Sequence, residues 1–344
     1  MQAADFVQAR APVATRPCDV ARRTLLARLA GFAAVLPCGR PARAAAFPAR
    51  AVRIVVPYSV GVGPDVVARS VAERLAQQWD QPVLVDNKPG ASGIVAFSEV
   101  RRTAADGHTL FLADTATMVV NPLLHASLQY DPLRDLTPLT LLFRATFVLW
   151  VGGANRFGSI VALLAAARRA PGSVSYATLG NGHASHVAIE TLARAAAVQM
   201  LHVPFKDAGA LLAAVAASEV DLTAISVNTV AGLAASGRLR PLAVAAKRRL
   251  ASYPQIPTLS EAGGPPVEMH PWAALVTVAG TPEPVVGQLQ HDIVAALATD
   301  EVRSRAEQAG FDLTPSTPQA VLERMRADNS LYAPLVSEGR IARL

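Results

Sequence analysis

From Phe47 onward, short runs of β-branched and apolar residues alternate with longer segments whose apolar positions recur every three to four residues. That alternation predicts βαβ units and a mostly parallel sheet with helices on its faces. Residues 53–56 (RIVV) read as the first strand. Residues 64–79 read as a helix, with Pro64 at its first position and Val67, Val71 and Leu75 spaced four apart on one face. Strands at 83–85 and 109–113 follow, separated by the turn NKPGASG (87–93) and a helix over 94–103.

The pattern then repeats. Strands are predicted at 147–151, 175–178, 199–203, 221–226 and 242–246. Helices are predicted at 159–170, at 184–197 with Val187, Leu192 and Ala195 inward, and at 208–217. After a Pro- and Gly-rich stretch at 254–266, residues 273–278 read as the final strand. Helices near 285–298, 301–309 and 318–336 close the chain. Two successive α/β modules and a helical tail predict two lobes, 47–146 with 274–344 and 147–273, joined by crossing strands at 147–151 and 273–278. Ligands of such sheets sit beyond the carboxyl ends of the strands, which here is the cleft between the lobes.

The first 46 residues read differently. Arg22-Arg23-Thr24-Leu25-Leu26 opens an apolar stretch to Leu36, and Ala44-Ala45-Ala46 precedes Phe47-Pro48. A positive n-region, a short h-region and a small-residue end describe a cleavable export signal, by the Sec or the twin-arginine route. Residues 1–20 exceed the usual n-region, as an upstream start codon would make them. About a dozen apolar residues fall short of the roughly 20 that cross a bilayer, and the proline before Cys38 suits a lipoprotein signal badly.

Recognising the leader changes two composition arguments. Its seven arginines, set against Asp5 and Asp19, hold +5 of the whole-chain +6. The remainder of the chain is thus close to neutral, and a nucleic-acid partner is not expected. Both cysteines, Cys18 and Cys38, also lie in the leader, so the mature chain has no disulfide, thiolate nucleophile or cysteine metal site. With 51% hydrophobic and 17% charged residues, it reads as a well-packed globular protein.

Two glycine-containing loops precede helices. In Tyr58-Ser59-Val60-Gly61-Val62-Gly63, backbone N–H groups at a helix start suit a carboxylate or phosphate. An equally good reading is a tight strand-to-helix connection, with Asp65 satisfying the helix dipole. Gly61-x-Gly63-x-x-Val66 with Asp86 also imitates a dinucleotide fingerprint. The third glycine is missing, however, and four residues separate the strand from Gly61. Asn181-Gly182-His183-Ala184-Ser185-His186 is the second loop. His183 and His186 lack a third metal ligand, and Ser185 lacks the G-x-S-x-G setting of a nucleophile; a solvated or capping histidine is the plainer reading. Thr115 and Thr117 follow the third strand, either facing the cleft or making an ordinary turn. Lys206-Asp207 is either a salt-bridged loop or a cleft-facing lysine.

Taken together, several stretches resemble one family, the Bug or TctC-type substrate-binding receptors of tripartite tricarboxylate transporters. They include VRIVVPY (52–58), QPVLVDNKPGASG (81–93), YDPLRDLTPLT (130–140), PGSVSYATLGNGHASH (171–186), HVPFK (202–206) and PQIPTLSEAG (254–263). The resemblance implies a type II periplasmic binding fold, with two α/β lobes and a small carboxylate between them. It implies a cleft lined by the first-strand loop from Tyr58 to Gly63, by Ser92, Thr115 and Thr117, by the 181–186 helix start, and by Ser226. It implies no catalysis, cofactor or metal, and as partners a small mono- or dicarboxylate and inner-membrane permease subunits, with the receptor itself a periplasmic monomer. The departures fall on binding loops. Ser59 replaces a proline and Val62 a glycine, His183 stands where threonine or serine is common, and Ile225-Ser226 replaces Asp-Asn. A membrane sensor as the partner, or a nicotinamide-dependent enzyme, are the competing readings.

Overall fold

A computed structural model describes residues 47–344; the expected export signal lies outside the described residues. The first lobe is built on a six-stranded sheet. Its elements are β1 (Val52–Val56), α1 (Gly63–Trp79), β2 (Val83–Asn87), α2 (Ile94–Val100) and β3 (Thr109–Asp114). A π-helical turn, Ala116–Val120, leads into α3 (Asn121–Leu124), α4 (Pro132–Asp135) and β4 (Leu136–Ala145). The second lobe carries β5 (Val148–Gly152), α5 (Ile160–Arg169), β6 (Ser175–Thr178), α6 (Ala184–Ala195) and β7 (Leu201–Pro204). It continues with α7 (Ala208–Ala216), β8 (Leu222–Ile225), α8 (Val227–Ala235) and β9 (Leu239–Val244). The chain then returns to the first sheet as β10 (Trp272–Val278), α9 (Glu283–Leu297), α10 (Asp300–Ala309), β11 (Phe311–Leu313) and α11 (Pro318–Ser337).

The strand orders are β11-β4-β10-β3-β1-β2 and β7-β6-β8-β5-β9. Both sheets are mixed rather than mostly parallel. β1 runs parallel to β2 and β3, and β6 parallel to β7 and β8. The strands that carry the chain between lobes reverse that direction: β10 is antiparallel to β3 and β4, and β5 to β8 and β9. Strands 148–152 and 272–278 each lie wholly in one sheet. The crossings are the segments just before them, tied by Ala145 N–H to the Pro271 carbonyl (2.8 Å) and Phe147 N–H to the Met269 carbonyl (3.2 Å).

Local chemistry explains the element ends. Pro64 starts α1, and Asp80 in the left-handed region (φ 49°) stops it. Ser159, Asp207 and Thr317 cap α5, α7 and α11 through their side-chain oxygens. On α1, Val67, Val71 and Leu75 are fully buried against Val52, Ile54 and Val56 of β1, each burial stabilising by about 1.5–3 kcal/mol. On α6, Val187 and Leu192 are buried as the pattern predicts, but Ala195 is exposed and Ala193 and Ala196 take the inward places. Two strands escape the pattern. In β4, Pro138 interrupts the alternation, and the pairing with β10 shifts register there, so the missing donor sits beside a bulge. Three-residue β11 makes residues 273–278 not the last strand.

Candidate functional site

β1 and β3 are adjacent and parallel, so their carboxyl ends deliver Tyr58 and Asp114 side by side. The Tyr58 hydroxyl donates to Asp114 Oδ2 at 2.5 Å. Asp114 Oδ1 accepts from the Thr117 N–H (2.8 Å) and Thr117 Oγ1 (2.9 Å). Burial raises the pKa of both groups. The Asp114 charge pushes Tyr58 up further, while hydrogen bonds from Tyr58 and Thr117 only partly offset the desolvation of Asp114. The phenol therefore keeps its proton. Thr117 is fully buried and its hydroxyl belongs to this turn. Thr115, also buried, accepts from the Trp272 N–H (3.1 Å) and lines a pocket between the lobes with Val187, Thr191, His270 and Tyr332.

The first-strand loop is held from below by a buried acid. Asp65 Oδ2 accepts from the Gly61 N–H (2.8 Å) and Arg69 Nε (3.0 Å), and Oδ1 from Asn87 Nδ2 (2.8 Å). Burial alone would raise the Asp65 pKa, but these hydrogen bonds outweigh it and hold the carboxyl below its usual range. Asn87 also donates to the Tyr58 carbonyl (3.0 Å) and accepts from Arg69 (2.7 Å), fixing the loop at both ends. Ser59, Val60 (70%) and Val62 (41%) remain exposed on it. Gly63 packs against the Phe311 ring, leaving no room for a Cβ. Ser92 is exposed in a left-handed conformation (φ 49°), and its carbonyl accepts from Asn121 (3.0 Å).

In the second lobe, the turn after β6 starts α6. His183 is its N-cap, with Nδ1 accepting from the Ser185 N–H at 3.2 Å and lying 2.8 Å from Ser185 Oγ. The Gly182 N–H donates to Nδ1 of His186 at 3.1 Å. The His186 ring stacks on His202 (centroids 3.9 Å, 11°), whose Nε2 meets Thr178 Oγ1 at 2.5 Å. Burial lowers the His183 pKa to about 4; burial, then the His202 and His183 charges, lower His186 to about 3. Both rings are thus neutral at pH 7. Gly182 lies against Leu124 and Val120 of the first lobe, bringing this helix start beside the π-helical turn and α3 that follow β3. Asn181 donates to the Ala342 carbonyl (3.0 Å), and Ser226, at the start of α8, shares a hydrogen bond with Thr229 (2.9 Å).

Other residues weighed from the sequence have local roles. Lys206 is exposed, and Asp207 caps α7 instead of pairing with it. The Asp86 carboxylate, the ribose-binding position of a dinucleotide fingerprint, is engaged by Arg53 (3.0 Å) and Lys88 (3.6 Å). Among the described residues no group of three or more His, Cys, Asp or Glu is placed to hold a metal ion, and no helix is long and apolar enough to cross a membrane. Asn87 and Asp114 are the site residues that the sequence pattern did not single out. Asn87 is met by Arg69, Asp65 and Tyr58, 18 to 29 positions away, and Asp114 by Tyr58, 56 positions away, besides its local Thr117. The distant contacts are beyond the reach of any local signal.

Each lobe thus carries a helix start beyond a strand's carboxyl end, with hydroxyls nearby in both and exposed valines on the first-strand loop, and neither loop holds a lysine or arginine. The model of the "Tripartite tricarboxylate transporter family receptor" matches residues 67–335. The UPF0065 protein of the tcbD-tcbE intergenic region of Pseudomonas sp. strain P51 is 32% identical over 324 residues, covering 94% of this chain and 96% of that one. Among solved structures, R. palustris Rpa4515 with adipate is similar at TM-score 0.77 and 29% identity, covering 87% of this chain and all of that one. MatC from Rhodopseudomonas palustris with bound malate is similar at TM-score 0.74 and 28% identity, over 84% and 99% of the two chains.

Proposed function

The chain belongs to the tripartite tricarboxylate transporter receptor family, and from that premise we propose that it captures a small mono- or dicarboxylate between its lobes for an inner-membrane permease. The observation that supports the proposal is that each lobe carries a helix start beyond the carboxyl end of a parallel strand, α1 after β1 and α6 after β6, and that the second of these meets the first lobe where Gly182 lies against Leu124 and Val120. Helix N-termini attract anions through free N–H groups and the helix dipole. With His183 and His186 neutral, the ligand's charge is met by such donors and by hydroxyls rather than by a fixed cation. The malate and adipate seen in similar proteins support this ligand class. The receptor works in the periplasm after loss of residues 1–46. Ligand shifts the balance between open and closed lobes by binding the closed form better.

A thermal-shift screen of residues 47–344 against mono- and dicarboxylates, with NAD as a control, tests the reading. A ligand at 100 times its dissociation constant adds about 2.7 kcal/mol of stability. A selective rise with one class of acid supports the proposal, and a rise with NAD alone contradicts it.

A further inference from the structure

Away from α6, the lobes also touch through α8, and the contact is specific. Asn228, in the first turn of α8 in the second lobe, donates its side-chain amide to the carbonyls of Glu307 (3.0 Å) and Gln308 (3.1 Å). Both carbonyls belong to the last turn of α10 in the first lobe. Carbonyls there lack the N–H four residues on that the helix interior supplies, and they carry the negative end of its dipole. That of Glu307 also accepts from the Gly310 N–H (3.0 Å), so Asn228 adds a second donor there. A side-chain amide from the other lobe is thus a C-terminal cap supplied across the cleft.

The neighbouring glycine fits this use. Gly310 ends α10 with φ +86°, and a Cβ at that position would lie 3.0 Å from the Asn228 side chain. A larger residue would be strained at that φ and would press on the Asn228 side chain, which would have to shift by a few tenths of an ångström. The next residue, Phe311, is the ring on which Gly63 rests, so the contact stands beside the support of the first-strand loop. Elsewhere the lobes are joined by other means: Arg194 pairs with Glu338 (2.8 Å) and Arg340 with Glu190 (3.3 Å), tying α6 to the end of α11 and the tail behind it. Those ion pairs do not involve α8 or α10.

We infer that Asn228 is a latch that holds the lobes closed without ligand by capping α10 from the opposite lobe. It is a positioning residue: it favours the closed form that the proposed receptor uses for capture and does not itself meet the ligand. This deepens the receptor reading and rests on it.

The test reads the lobes directly. With both native cysteines before residue 47, Gln77→Cys in the first lobe and Glu219→Cys in the second give residues 47–344 a clean pair of label sites. Fluorescence energy transfer is then measured without ligand. Asn228→Ala removes two neutral hydrogen bonds and should lower the closed-to-open ratio by about fivefold or more. Asn228→Asp, which turns a negative charge toward the α10 carbonyls, should lower it further, and Asn228→Gln should fall between wild type and alanine. Circular dichroism confirms that each variant is folded, and the aspartate variant carries the test if the alanine variant is not. Identical distance distributions in wild type, alanine and aspartate forms would overturn the latch. The readout needs no ligand, so a failed carboxylate screen leaves it standing, and a failed latch leaves the carboxylate reading standing.

Discussion

The Gly182 N–H donates to Nδ1 of His186 at 3.1 Å, so the imidazole that shapes the second loop does so only while that nitrogen is unprotonated. His183 accepts from the Ser185 N–H by the same logic. The folded pKa values of His183 and His186, about 4 and about 3 respectively, lie below the unfolded value near 6.5. Between those limits the unfolded chain binds more protons than the folded one. Stability therefore rises with pH from about 4 to 6.5, by about 1.4 kcal/mol per pH unit for each histidine, and levels off above that range. Thermal midpoints across it should climb. In His186→Phe, which keeps a ring on His202 but leaves the Gly182 N–H unpaired, the slope should flatten and stability at pH 7 should fall by about 1–3 kcal/mol.

His183 gives a sharper comparison. Its ring acts as an N-cap, so His183→Ala should cost about 0.5–2 kcal/mol in a denaturant melt, whereas His183→Ser, a good cap, should recover most of it. Equal losses in the two variants would mean the ring does more than cap.

The Tyr58–Asp114 pair joins the carboxyl ends of β1 and β3. Tyr58→Phe removes the phenol that donates to Asp114 Oδ2 and should destabilise the first lobe by about 1–3 kcal/mol. The loss should shrink in acid. Desolvation has raised the Asp114 pKa, and a raised acid becomes less costly once pH drops through its folded value. Urea titrations of both proteins at pH 4 and pH 7 check this.

Gly63 and Gly61 should respond differently to alanine. A Cβ on Gly63 would sit 2.7 Å from the Phe311 ring, which must move, at about 1–3 kcal/mol. A Cβ on Gly61 meets nothing within 4 Å, leaving only the strain of φ +84°, about 1–2 kcal/mol. Val62→Gly removes a side chain that is 41% exposed; it should leave the melting midpoint nearly unchanged and alter carboxylate affinity.

Much of the strand and helix order was legible because periodicity is local. Helix α1 announces itself by Pro64 at its start and by Val67, Val71 and Leu75 on one face, and β1 by its β-branched run, whereas Asp207, read from the sequence as one half of a loop pair with Lys206, is the cap of α7. Strand direction is not local, and the antiparallel returns β5 and β10 are what made both sheets mixed. β4 hid behind Pro138, which a bulge accommodates only because β10 lies alongside. The capping role of a histidine at the α6 start was readable from its position. Its neighbour's stack on His202 was not, since β7 is brought beside β6 only by folding. Asn228 had no signal at all: a lone asparagine early in a helix becomes a cap only when another lobe's helix ends against it.

The most direct test of the account is calorimetric titration of residues 47–344 with malate, adipate and a wider panel of mono- and dicarboxylates. The account predicts saturable one-to-one binding of at least one such acid, with a negative heat-capacity change as the lobes bury apolar surface around it. The absence of saturable binding to every carboxylate in the panel, or saturable binding of NAD, would contradict it.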